Sequence, residues 1–106
     1  MPGVDLNYFM RQASKLTEKL EQKKKELAEQ TVEAQAGDGR VKVVATGAGE
    51  VRSIKISPEV IAAGDVGMME DLVAAAVNAA LSQARQLSEQ ELSKVSGGLK
   101  IPGITG

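Results

Sequence analysis

The chain contains no cysteine, no histidine and no tryptophan among its 106 residues. The missing cysteine excludes disulfides and thiol nucleophiles, and the missing histidine excludes imidazole bases and imidazole metal ligands. Aromatic residues make up only 2% of the chain, and Tyr8 and Phe9 are the only two. This composition disfavours an enzyme, so we expect no catalytic residue, no cofactor, no metal site and no small-molecule substrate.

Long apolar runs are also missing from the sequence. No stretch reaches the roughly 18 apolar residues that a membrane-spanning helix needs. The first five residues lead directly into an amphipathic segment, so we expect no cleavable signal peptide. These features predict a cytoplasmic protein without a membrane partner.

The chain does contain enough apolar residues, 42%, for one packed domain spanning residues 1–106. With so few aromatics, the core must consist of aliphatic side chains and many alanines. A small core of this kind gains stability from burying a second copy of itself, so we expect an obligate homodimer.

Positive charge is concentrated at one end of the chain, although the net charge is −1. Residues 1–25 sum to +3, whereas the rest of the chain is acidic. Basic residues four apart are neighbours on a helix, and such like charges cost a little stability unless an anion relieves them. The row therefore indicates an anionic partner, with phosphate as the candidate. Four residues share this spacing: Arg11, Lys15, Lys19 and Lys23.

The basic row also has a second interpretation. It is equally typical of the solvated back of an amphipathic helix, with its charge balanced by Glu18, Glu21 and Glu26. From the residues alone both interpretations stay open. If phosphate is the partner, lysine suits backbone contact better than base reading, because its ammonium group is a point charge without fixed geometry.

Hydrophobic periodicity predicts an α+β protomer with the order α-β-β-β-α. The three strands should form an antiparallel meander. A first helix of about 37 Å is too long for such a sheet to cover, so we expect long projecting helices. The predicted elements are a helix over about 5–29, strands over about 31–36, 40–46 and 51–57, a loop through Ala62–Gly64, a helix over about 66–95 and a tail over 96–106.

Turn residues indicate how the strands pair. A two-residue turn at Gly37–Asp38 places Val32 opposite Val43 and Glu33 opposite Lys42, which matches apolar with apolar and acid with base. The later glycine pair at positions 47 and 49 precedes a strand and not a helix. It therefore favours a hairpin turn over a phosphate-binding loop.

Several segments resemble the YbaB/EbfC family of small bacterial nucleoid-associated proteins. The most specific is Met69–Ala80, in which Asn78 interrupts an alanine-rich run. The residues alone leave open whether Asn78 is buried at a subunit contact or exposed to solvent. Further segments with this likeness are Leu6–Ala13, Val41–Val43, Gly47–Gly49, Ile54–Pro58 and the tail around Ile101–Gly103.

This resemblance implies a dimer formed through the sheet and the second long helix, with helical arms that grip double-stranded DNA in the nucleoid. Our DNA-binding candidates are Arg11, Lys15, Lys19 and Lys23, followed by Lys24, Lys25, Arg85 and Lys94. Our candidates for the dimer interface are Val41, Val43, Leu72, Val73, Ala76, Asn78 and Ala80.

Two departures from the family pattern stand against the resemblance, and the near-neutral net charge favours an alternative function. Ala79 stands where the family often has aspartate, and the second long helix ends with Glu89 and Glu91 against Lys94 alone. The alternative is a non-enzymatic adaptor in replication or repair. Its apolar Phe9–Leu27 seam and its tail would dock a partner protein, and DNA contact would be incidental.

Overall fold

The computed structural model describes residues 5–97. It has the predicted order of a helix, three strands and a long helix, with one short helix in addition. The tail prediction for residues 98–106 lies outside the described residues. The elements are α1 (Leu6–Glu29), β1 (Thr31–Ala36), β2 (Val41–Thr46), β3 (Val51–Ile56), α2 (Pro58–Ala63) and α3 (Val66–Ser96).

Each of the two long helices is preceded by an aspartate that acts as its N-cap. The Asp5 carboxylate accepts a hydrogen bond from the Tyr8 amide at 3.2 Å, and the Asp65 carboxylate accepts one from the Met68 amide at 3.0 Å. Each carboxylate satisfies an amide that has no partner within its own helix. Local chemistry therefore fixes where α1 and α3 start.

The strands form a three-stranded antiparallel sheet in the order β1-β2-β3. One side of the sheet, which we call the core face, packs against α3. The side chains at its centre are small, and alanines on α3 let the helix approach the sheet closely. This confirms the predicted fold class. The fully or almost fully buried members of this cluster are Ala34, Val41, Val43, Ala45, Ala76 and Ala80.

The predicted pairing of β1 with β2 is wrong by two residues. Val32 lies opposite Ala45, and Glu33 lies opposite Val44 instead of Lys42. The connection spans residues 37–40 and has three successive residues with positive φ, at Gly37, Asp38 and Gly39. A shift of two keeps every side chain on its predicted face, so the alternation of apolar residues could not reveal the error.

A short helix, α2, replaces the loop that the sequence analysis placed before the second long helix. Pro58 occupies its first turn, where a missing amide costs nothing, and the left-handed Gly64 (φ 69°) ends it. The buried Val60 anchors this helix to the protein.

The two long helices make the molecule elongated, with extents of 74 × 26 × 16 Å. The first part of α3 packs on β1 and β2, and α3 also packs beside α1. The paired parts of α1 and α3 form a projection that we call the arm. The expectation of long projecting helices is therefore confirmed.

The arm is attached to the sheet by a close approach at the carboxyl end of α1. Leu27 is buried there, and the Gly47 amide donates a hydrogen bond to the Gln30 carbonyl at 2.9 Å. A Cβ atom at position 47 would lie 2.8 Å from the Leu27 carbonyl oxygen. Glycine is needed at this turn because the helix leaves no room for a side chain.

Candidate nucleic-acid interface

The predicted basic row does not lie along one straight line of α1. Four residues turn the helix by about 400°, so each step in the row rotates by about 40° around the axis. From Arg11 to Lys23 the direction changes by about 120°. The row therefore winds from the outer side of the arm, at Arg11, toward the contact with α3, at Lys23.

Lys23 lies between carboxylates from two helices. Its Nζ is 3.1 Å from Glu26 Oε2 and 4.0 Å from Glu91 Oε2, and its side chain is only 26% exposed. The hydrogen bond from Lys23 lowers the pKa of Glu26, with further contributions from the Lys23 charge and a hydrogen bond from Gln22. Lys23 thus joins α1 to α3, and part of its charge is neutralised within the protein.

Two other candidates from the sequence also have acidic neighbours. Lys94 Nζ is 3.2 Å from Glu91 Oε2, so Glu91 is the ion-pair partner of both Lys94 and, at 4.0 Å, Lys23. Lys24 Nζ is 3.9 Å from Glu21 Oε1. These pairs make Lys94 and Lys24 less available to an external anion than their sequence positions indicate.

The remaining candidates on α1 are exposed cations. Within residues 5–97, none of them has a carboxylate within 4.0 Å. Arg11 and Lys15 line one shallow groove of the arm with Asn7, Met10, Ser14 and one acid, Glu18. A polyanion would meet these charges without first breaking an ion pair. The residues concerned are Arg11, Lys15, Lys19 and Lys25.

Arg85 is separate from this surface. It is exposed on α3 beside the turn at residues 47–49, where Ser88 and Glu89 complete a small groove. The structure therefore places Arg85 near the root of the arm, and Glu89 lies in the same groove.

Four residues proposed for the dimer interface face the protomer's own core. Val41, Val43, Ala76 and Ala80 have 0% exposure in a single chain, so they present no surface to a second copy. Their apolar periodicity correctly indicated that they are buried. The surface that covers them, however, is the contact between α3 and the sheet of the same chain. Among the other candidates, Leu72 and Val73 are half-buried and Asn78 is exposed.

An apolar groove beside β3 was missed by the sequence analysis. Because α3 packs mainly on β1 and β2, the core face of β3 is incompletely covered and Ile54 is 44% exposed. The apolar alternation of β3 was visible in the sequence, but the position at which α3 crosses the sheet was not. The groove is lined by Ile56, Met69, Glu70, Val73, Ala74, Val77 and Asn78.

The amino-terminal end of α1 is a second exposed apolar surface, which we call the arm tip. It contains both aromatic side chains of the chain, and its large side chains are 51% to 70% exposed. The Tyr8 and Phe9 rings meet edge to face, with centroids 6.1 Å apart. The members of the arm tip are Leu6, Tyr8, Phe9 and Met10.

Two kinds of site are not found in the described part of the chain. Residues 5–97 contain no group of three or more carboxylates placed to hold a metal ion. Within the same residues, no helix combines the length and the apolar character that crossing a membrane requires.

Comparison with known proteins identifies relatives along nearly the full length of the chain. The model of the YbaB/EbfC DNA-binding family matches residues 1–99. A nucleoid-associated protein of Myxococcus xanthus is 66% identical over 105 residues, which cover 99% of this chain and 100% of the relative. A nucleoid-associated protein of Anaeromyxobacter dehalogenans is 47% identical, covering 97% of this chain and 100% of that one.

A solved structure has the same fold. The crystal structure of an uncharacterized protein, HP0035, from Helicobacter pylori superposes with a TM-score of 0.75 and covers 82% of this chain and 91% of that chain. The two sequences are 16% identical. At this identity the likeness concerns the architecture alone.

Proposed function

Because this chain belongs to the YbaB/EbfC DNA-binding family, we propose that it acts as a homodimer that grips duplex DNA with its helical arms. The contacts are made to phosphates and are largely independent of base sequence. The relatives are named nucleoid-associated proteins. On that basis we place this protein in the bacterial nucleoid, within the cytoplasm, in a non-enzymatic role that organises DNA and affects gene expression.

The observation that best supports this proposal is the set of exposed, unpaired cations on α1. Arg11, Lys15 and Lys19 are exposed, and none has a carboxylate within 4.0 Å among residues 5–97. Phosphate neutralisation by such residues releases counterions, and this supplies affinity without sequence information. Lys23 and Lys94 have a smaller part, because Glu91 already neutralises them in part.

The groove beside β3 supports the homodimer. Ile54, Ile56, Val73 and Val77 are apolar and incompletely buried, although they adjoin the core. A second copy would remove this area from water at about 25 cal/mol per Å² of apolar surface. The exposed Asn78 lies in the same groove and offers hydrogen bonds across the subunit contact.

Charge reversal on two sides of the same helix tests the DNA contact. Lys15 and Lys24 are nine residues apart, which places them on opposite sides of α1. We expect the K15E/K19E double variant to lose about tenfold or more in affinity for a short duplex at low salt. The K24E/K25E variant has the same net charge and should lose less, because Lys24 is paired with Glu21 and only Lys25 of these two is an unpaired cation.

The salt dependence provides a second measurement. For the unsubstituted protein, the logarithm of the binding constant should fall with the logarithm of salt concentration with a slope of several units, roughly 0.9 per phosphate contacted. The slope should be smaller for K15E/K19E. An unchanged affinity and an unchanged slope in this variant would refute the arm as the DNA-binding surface.

The arm tip favours a second candidate function, that of a protein-interaction adaptor. Leu6, Phe9 and Met10 expose apolar surface, which in soluble proteins often marks a contact site. The adaptor function predicts a partner whose binding is lost in F9A/M10A and depends little on salt. The DNA-binding function predicts that F9A/M10A keeps the steep salt dependence of DNA binding.

A further inference from the structure

The side of the sheet that faces away from α3, which we call the open face, has two lysines in direct opposition. Lys42 on β2 lies opposite Lys55 on β3 in the antiparallel register. The neighbours Val41 and Val43 are fully buried on the core face, so the alternation of the strand places Lys42 on the open face. Directly opposite Cβ atoms are about 4.5–5.5 Å apart, and like charges in this arrangement destabilise a sheet.

Neither lysine is relieved by an acid. Within residues 5–97, no carboxylate lies within 4.0 Å of Lys42 or Lys55, and both side chains are exposed. The residue on the other side of Lys42 in the sheet is Gln35, which has no charge. The structure therefore retains a repulsive pair on its surface without an internal counterion.

The nearest acid on the open face, by register, is Glu33. It lies opposite Val44 and is therefore diagonal to Lys42. The Lys42 side chain extends toward the turn, with its Cε 3.7 Å from the position of a Cβ at Gly39. The turn is at the other end of β1 from Glu33, so Lys42 is directed away from the carboxylate.

A third cation lies at the same end of the sheet. Arg40 immediately precedes β2, and its backbone carbonyl accepts a hydrogen bond from the Ser57 amide at 2.8 Å, which continues the ladder between Lys42 and Lys55. The Arg40 Nε donates to the Gly37 carbonyl at 2.8 Å, and Leu72 of α3 adjoins the same part of the turn, so the half-buried Arg40 side chain is held toward α3 and does not join the two lysines on the open face. Asp38 is the acid within this turn.

We propose that Lys42 and Lys55 form a second phosphate-contact site for duplex DNA. This site rests on the proposed DNA-binding function and is distinct from the arm. The lysines lie on the opposite side of the sheet from the apolar groove, so a second copy seated in that groove leaves them accessible. A dimer with this site bridges two DNA segments, one held by the arms and one by the sheet.

Protection of a sheet edge explains only half of this pattern. Lysine on an edge strand discourages pairing with other chains, which accounts for Lys55 on β3. Lys42 is on the central strand, which has partners on both sides and needs no such protection. The alignment of Lys42 with Lys55 is accounted for by a ligand of opposite charge that contacts both.

A bridging assay tests this site. Duplex DNA is tethered to beads, protein is added, and the capture of a second, labelled duplex is measured beside the affinity for a short free duplex. We expect K42E/K55E to lower capture about fivefold or more and to change the short-duplex affinity less than about twofold, because the arm cations are intact. K42R/K55R keeps the charge and should keep the capture.

The single variant K42E separates a ligand role from a structural one. It converts the like-charged pair into an opposite-charged pair, so the thermal unfolding temperature should stay the same or rise while capture falls. Unchanged capture in K42E/K55E overturns the proposal, as does an equal loss of capture and of short-duplex affinity. If the arm is not a DNA-binding surface, K15E/K19E keeps its affinity for the short duplex, and this result is distinct from the two outcomes above.

Discussion

The Lys23 ammonium group lies 3.1 Å from the Glu26 carboxylate and 4.0 Å from that of Glu91. One residue of the predicted basic row therefore stabilises the contact between two helices of the arm. The same helix has unpaired cations one and two turns away, at Lys19 and Lys15. Whether a basic residue of the row is paired with a carboxylate or unpaired depends on its direction around the α1 axis.

The pairing of Glu26 with Lys23 predicts a pH dependence. The pKa of Glu26 is lowered in the folded protein, mainly by the hydrogen bond and charge of Lys23. A lowered folded pKa means that this contribution to stability is present above the unfolded pKa and is lost as the pH falls through the folded value. In K23Q, an NMR titration should find the Glu26 pKa closer to its usual 4.5. An unchanged titration would show that another group lowers it.

Neutralising Glu91 should strengthen DNA binding. In E91Q, Lys94 loses the one carboxylate it has within 4.0 Å among residues 5–97, whereas Lys23 keeps Glu26 at 3.1 Å, so it is mainly Lys94 that becomes available to phosphate. We expect affinity at low salt to rise about threefold, the scale of an exposed ion pair. E89Q removes the same charge nearby, where no ion pair exists within residues 5–97, and should have a smaller effect. If E91Q and E89Q raise the DNA affinity equally, the gain comes from the change in net charge alone.

Gly47 should tolerate no side chain. A Cβ there would lie 2.8 Å from the Leu27 carbonyl oxygen, so G47A must displace the end of α1. We expect a loss of about 1–3 kcal/mol in the free energy of unfolding, as for other overpacked sites. In the control G67A, the nearest atom is 3.7 Å away, and alanine in a helix should be neutral or stabilising by up to about 1 kcal/mol. Urea denaturation measures both, and similar stability of the two variants would contradict the close approach.

The groove beside β3 should determine the oligomeric state. In V73E, a carboxylate replaces an apolar side chain at the proposed subunit contact, and its desolvation should weaken the dimer by about 3 kcal/mol, or roughly 100-fold. Sedimentation equilibrium should detect this as a shift toward monomer. L6E introduces the same charge at the exposed arm tip and should leave the dimer intact. A V73E dimer of normal affinity would exclude the groove as the interface.

Local chemistry predicted part of this structure well. Asp5 and Asp65 cap the helices that follow them, because capping depends on residues within one turn. The basic row was also visible, since it needs only a four-residue spacing. The pairing of Lys23 with Glu91 was not, because it joins residues far apart in the chain whose contact depends on how α3 packs against α1.

The sequence predicted which side chains are buried more reliably than it predicted which surface covers them. Val43 and Ala80 have the periodicity of buried residues, but that pattern is the same whether the covering surface belongs to the same chain or to a second copy. Only the path of α3 across β1 and β2 shows that these two residues are covered internally. The same path leaves Ile54 uncovered on β3.

In the proposed dimer, the close packing of Leu27 against Gly47 would also set the width of the space between the two arms. The distance along α1 from Leu27 to Leu6 is about 31 Å at 1.5 Å per residue. A change of about 5° in the direction of the helix at its root therefore displaces its far end by about 3 Å. A substitution of one methyl group at this turn, remote from any phosphate, would alter the diameter of the nucleic acid that the dimer accommodates.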